Sequence, residues 1–235
     1  MEAHSPSSQQ VSRAVVTKRS SPPRPYTMLA RQESVEETRL RITEAIMHLH
    51  ETVGPRATTV SAIADQAAVT RLTVYRHFPD ESSLVSACSA YWAQQHPKPN
   101  PEQWLGIKDP VQRLRTALKQ TYAWARPAAP MMSKIYQDLD TMPAFVGEYL
   151  MADERARVAA LQPGFPTHRT ASRRIAAALA HALHWRTWES LCATQGLADQ
   201  DAINIMVGAV LAAQTTRAPR RPLEITKLTA DPGPG

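Results

Sequence analysis

Cysteine is nearly missing from this 235-residue chain: Cys88 and Cys192 are the only two, which excludes a disulfide framework and any CxxC metal or redox pair and fits a reducing cytoplasm. Glycine is scarce as well, at eight, and no GxGxxG, P-loop or GxSxG run occurs, so phosphate-cradling loops and a nucleophile elbow are excluded. No apolar stretch is long enough for a signal peptide or a membrane span. Strand-type alternation and Asn-Gly hairpin signals are absent, and so are internal repeats. His181 and His184 stand three apart, with Glu189 and Cys192 beyond them, and His48 and His50 lie earlier. Without HExxH or a clear third ligand, that spacing supports no metal site. The expectation is an all-α cytoplasmic protein that is not an enzyme and carries no cofactor.

What is present concentrates between residues 58 and 78. Thr59 stands at an N-cap, followed by Val60, Ile63, Ala64 and Ala67 on one side of a short helix. Thr70 stands at a second N-cap, with Val69 before it as a staple and Val74 and Phe78 four apart on one face. Arg71, Leu72, Thr73, Tyr75, Arg76 and His77 are left to look outward or sideways. Guanidinium, phenol, imidazole and hydroxyl groups together suit phosphates and base edges better than a core. Two short capped helices across a tight turn predict a helix-turn-helix.

The net charge of +6 and pI near 9.6 suit a nucleic-acid binder. Yet residues 37 to 91 hold five Arg and no Lys against six Asp and Glu. The motif therefore depends on placed contacts rather than bulk attraction. Residues 1–35, rich in Ser, Gln and Pro with Arg13, Lys18, Arg19, Arg24 and Arg31, predict a disordered basic arm, either a solvated tail or an aid to DNA binding.

From about Arg39 to Leu84 the chain resembles the DNA-binding domain of the TetR/AcrR transcriptional regulators. The resemblance lies in Val53-Gly54, Thr58-Thr59, Ile63-Ala64, Val69-Thr70 and the run Thr73-Val74-Tyr75-Arg76-His77-Phe78. Two departures stand out. Ala68 occupies the turn where the family usually has Gly, and Phe78-Pro79-Asp80-Glu81 lacks the Lys that often follows the recognition helix. The resemblance implies that the second helix of the motif enters the major groove, with Arg71, Leu72 and Tyr75 near bases, Tyr75 also matching a phosphate-holding position, Arg76 on base or phosphate, and Thr59, Ser61, Thr70, Thr73 and His77 on phosphates or the groove edge. Arg71 is the expected specificity contact.

The rest of the chain predicts helix throughout. Asp80 caps a helix reaching Gln95; Asp109 with Pro110 opens another that Pro127 closes; further helices are expected at about 129–138, 143–160, 169–195 and 199–215, the last capped by Asp199, with Gly196 ending its predecessor. Residues 36–80 then form the helix-turn-helix domain and 81–216 a helical effector and dimerisation domain. Residues 217–235, with Pro222, Pro232, Gly233, Pro234 and Gly235, form a tail. The last two helices carry Ile175, Leu179, Ile203, Met206, Val207, Val210 and Leu211, which the resemblance assigns to a homodimer interface. Trp92, Tyr122, Trp124, Met131, Met132, Tyr136 and Phe145, with His181, His184, Trp185 and Trp188, are the candidate walls of a small-molecule pocket.

The expected function is a ligand-responsive regulator, a dimeric repressor on a palindromic double-stranded DNA operator, released by a small apolar or aromatic effector. The near-neutral motif keeps open an alternative: a helical small-molecule-binding protein or enzyme that no longer binds DNA.

Overall fold

The computed structural model describes residues 25–166 and 168–215, and among these every regular element is a helix or helical turn. Two compact units divide the chain, Met1–Leu40 and Arg41–Gly235. The described part of the first unit is the start of α1 (Pro25–Thr52), where the Thr38 hydroxyl donates to the Ser34 carbonyl at 2.8 Å. Residues 25–35, expected in the disordered arm, are thus helical. Pro25 stands where a missing N–H is harmless, and Leu29 through Glu33 are good helix formers. The arm up to residue 24 and the tail from residue 216 lie outside the described residues.

In the second unit, α1 buries Ile42, Ala45 and Ile46 and stops before Gly54, whose φ of 91° suits glycine alone. A 3₁₀ turn, Pro55–Ala57, leads to α2 (Val60–Gln66) and α3 (Arg71–His77). Both caps form as expected: Thr59 Oγ1 accepts from Ala62 N and Thr70 Oγ1 from Thr73 N, each at 3.1 Å. Ile63, Ala64 and Ala67 pack with Val74 and Phe78 in the core. Between the helices Ala68 adopts φ 53°, a left-handed conformation that a Cβ makes unfavourable.

Helix α4 (Glu81–Gln95) opens with a capping box, Asp80 Oδ1 accepting from Ser83 N at 2.7 Å and Asp80 N donating to Ser83 Oγ at 3.4 Å. The loop after it is anchored by two indoles. Trp124 Nε1 donates to the His96 carbonyl at 3.0 Å, and buried Trp104 donates to Gln120 Oε1 at 2.7 Å.

Three expectations for the larger domain need correction. Helix α5 runs from Pro110 to Gln137, straight through Pro127 and Pro130, instead of ending at Pro127 and restarting at 129. Each proline removes an N–H that would bond four residues back, to Ala123 and Arg126. Those two residues and both prolines are exposed, so water can take the freed carbonyls while Leu118, Tyr122, Ala125, Ala128 and Met132 bury the opposite face. After α6 (Ala144–Leu161), the single helix expected over 169–195 is three pieces: α7 (Arg169–Leu183), α8 (Trp185–Trp188) and a π turn, Glu189–Thr194. The break is His184, extended at φ −69° and ψ 139°, whose Nδ1 accepts from Arg186 N at 3.1 Å and caps α8. Finally, Asp199 lies inside α9 (Asp199–Thr215) and is not its cap. Its carboxylate turns back to Arg126 at 2.7 Å and Trp188 Nε1 at 3.4 Å. Gly196, at φ 72°, does terminate the preceding turn.

Candidate nucleic-acid interface and cavity

Burying Val74 and Phe78 orients α3 and turns the opposite face outward. Arg71, Leu72, Tyr75 and Arg76 are exposed there, Leu72 at 68% and Tyr75 at 45%. Thr59, Ser61 and Thr70 are exposed as well, whereas Thr73 and His77 are half-buried. Thr73 is held by its hydroxyl, 2.9 Å from that of Thr70. All nine residues nominated from sequence therefore lie on α2, α3 and the caps that start them, seven of them open to solvent.

The three-helix unit is tied to the larger domain at several points. Tyr91 of α4 donates to Glu44 of α1 at 2.7 Å, and Trp92 Nε1 donates to Glu51 at 3.3 Å. Asp138, at the end of α5, accepts from the backbone N of Arg56 at 3.0 Å, while the Arg56 guanidinium reaches Asp140 at 2.8 Å. A Cβ on Gly54 would stand 2.7 Å from the Asp138 carboxylate, so glycine there serves both the backbone turn and this approach.

Behind α4 lies a cavity of about 410 Å³, in the size range of small-molecule sites. Its walls come from Cys88 and Trp92 on α4, Met131, Met132 and Ile135 on α5, and Phe145 and Tyr149 on α6. His50 and Cys88 meet in its wall, Nδ1 to Sγ 3.7 Å. Burial pushes His50 down to about 4, against the pull of Asp138, and pushes the Cys88 thiol up to about 12. These two side chains are therefore uncharged at neutral pH, with the carboxylates of Asp138 and Glu51 acting on them from nearby. Lys98 also lines the cavity, ion-paired to Asp153 at 3.0 Å, its pKa lowered by burial.

The nominated pocket residues separate into three groups. Trp92, Met131, Met132 and Phe145 line this cavity. Trp124, Tyr136, His184, Trp185 and Trp188 surround a second, much smaller chamber, which Met132 also touches. Tyr122 and His181 line neither: Tyr122 is fully buried and donates to the Ala182 carbonyl at 3.0 Å, and His181 is exposed. The sequence reading missed His50, His96, Lys98 and Ile135 as lining residues. Residue type could not reveal them, since three are polar and Ile135 is an ordinary aliphatic, and they become pocket walls only once separate parts of the chain converge.

The nominated dimer residues need a sharper correction. Ile175, Leu179, Ile203, Val207 and Val210 are at most 3% exposed within the single chain, and Met206 is 8% exposed. They form the packing of α7 on α9 and α5, so they are closed to a second copy. Of the set, Leu211 alone is open, at 38%.

Two capped short helices with an exposed second member, borne on an all-helical body containing a cavity, define a helix-turn-helix regulator. Residues 42–88 match the family described as bacterial regulatory proteins, tetR family. The match spans the end of α1, the helix-turn-helix and the first half of α4, about a fifth of the chain, and shows this part to be similar to the DNA-binding domain of those regulators. A solved structure of a Clostridium perfringens protein, named as a fatty acid metabolism regulator, is similar in fold. Its TM-score is 0.52 at 17% identity, over 75% of this chain and 100% of that one. No curated protein matches the sequence.

Proposed function

We propose that this regulator is a dimeric repressor that binds a palindromic operator in cytoplasmic double-stranded DNA and is released when a small effector fills the cavity behind α4. The observation that carries the reading is the exposed face of α3. A seven-residue helix that leaves Leu72 68% exposed beside two arginines and a tyrosine presents a surface suited to a partner rather than to water. In the major groove Arg71 would fork onto a guanine, Leu72 would meet a thymine methyl, and Tyr75 would hold backbone or base. Thr59, Ser61, Thr70, Thr73, Arg76 and His77 would fix register through phosphates.

One such helix reads only a few base pairs, so a second copy about 34–36 Å away completes the site. The surface available for pairing is the outer side of α7 and α9, where Ala177, Ile205, Gly208, Ala209 and Leu211 are exposed. The small residues Ala177, Gly208 and Ala209 let helices approach closely, and Gly208→Arg should shift the molecular mass in solution from dimer to monomer.

Selection from random duplex DNA at physiological salt tests the whole reading. A palindrome bound at roughly 10⁻⁸ M or tighter, and lost with Tyr75→Ala, is expected. Failure to enrich any sequence would favour the helical ligand-binding protein without DNA affinity, the reading that the near-neutral motif leaves open.

A further inference from the structure

Three buried side-chain polar atoms have no protein partner among the described residues: Thr121 Oγ1, Arg157 Nε and Trp185 Nε1. All three residues line the same small chamber, of about 20 Å³. Roughly 10–15 Å³ suffices for one water-sized oxygen. Arg157 Nε–H and Trp185 Nε1–H can only donate, and the Thr121 hydroxyl can do either. Donors left unmade in a buried place are costly, and three of them around one hollow are complementary to an acceptor oxygen.

Charge and position narrow the choice. Lys98 Nζ and Arg157 Nη2 both lie 3.0 Å from the same oxygen of Asp153, and none of the three side chains is more than 19% exposed. Two cations therefore share one carboxylate. Glu154 acts electrostatically on Tyr136 and His184 but forms no ion pair with either cation among the described residues. The Lys98 ammonium also sits 5.5 Å from the ring of Trp124 and 5.0 Å from that of Tyr149. Lys98, Met132 and Leu150 line both the chamber and the 410 Å³ cavity, so the donor-rich hollow borders the apolar one.

We propose that the effector, on the reading above that the cavity is an effector site, is an amphiphile with a carboxylate head. Its apolar body lies along Trp92, Met131 and Phe145. One carboxylate oxygen accepts from Trp185 Nε1, Arg157 Nε and the Thr121 hydroxyl, and the second faces Lys98.

The full-length protein is titrated with decanoate and with decanol, binding being read from tryptophan fluorescence and from release of the selected operator. Decanoate is expected to bind at least about tenfold more tightly, a charge-assisted head being the difference. Trp185→Phe, which removes the N–H and keeps an aromatic ring, should cut that preference, read as the ratio of the two affinities, by about fivefold. If Trp185→Phe does not fold, Thr121→Val is read the same way. Equal binding of acid and alcohol overturns the carboxylate head and leaves the cavity as a ligand site. An undiminished preference in Trp185→Phe means that the chamber houses a water only and also overturns the proposal. Binding of neither probe, with the operator still held, removes the effector reading itself.

Discussion

The helix-turn-helix and the helical body behind it obey different rules. In the former, two seven-residue helices begin where a threonine hydroxyl accepts a backbone N–H and end where the next turn begins. In the latter, α5 passes through two prolines, and a run of residues with unbroken helical composition snaps at His184. Short elements have too little packing to override their local chemistry, so caps decide them. A 28-residue helix with ten buried side chains can absorb two missing N–H groups on its wet side. Local signals thus govern the helix-turn-helix, and burial governs the body.

This contrast can be broken at the joint between the two. Gly54→Ala places a Cβ 2.7 Å from the Asp138 carboxylate in a backbone conformation almost confined to glycine. A loss of about 3 kcal/mol or more is expected in chemical denaturation. Similar stability in the variant would mean that Arg56 and Asp138 do not hold the two parts together.

Acid should act next, through His50. The unfolded imidazole takes a proton near its ordinary 6.5, the folded one only near 4. The unfolded state therefore binds more protons between those values. The contribution is complete above pH 6.5 and is lost as pH falls toward 4, at most on the order of 3 kcal/mol. Denaturation midpoints measured from pH 7 to 4.5 should fall steeply in the parent protein and less steeply in His50→Gln.

Within the helix-turn-helix, the local rule predicts smaller and opposite effects. Thr70→Ala removes the acceptor for Thr73 N and should cost about 1 kcal/mol. Ala68→Gly relieves the left-handed turn and should add up to about 1 kcal/mol in the same assay. If Ala68→Gly destabilises, the turn must relax in solution away from φ 53°.

How much could be read from residues alone follows the same division. Thr59 and Thr70 as caps, Val74 and Phe78 as anchors, and the outward set from Arg71 to Arg76 were all legible, because each depends on neighbours within four positions. The cavity was half legible. Trp92, Met131, Met132 and Phe145 announce themselves by type, whereas Lys98 and His50 join it only through contacts with residues far along the chain. The assignment of Ile175, Leu179, Ile203 and Val207 failed for a related reason. An apolar helix face calls for a partner, and the pattern does not say whether that partner is α5 of the same chain or a second copy.

The distribution of indoles has a practical consequence. All five tryptophans lie at or beyond residue 92, and four of them, Trp92, Trp124, Trp185 and Trp188, border the cavity or its small neighbour. Emission therefore watches the body of the protein and is nearly blind to α2 and α3. A melting curve followed by fluorescence could pass over a frayed reading head unnoticed, so the Thr70 and Ala68 variants should be followed by backbone circular dichroism or amide exchange.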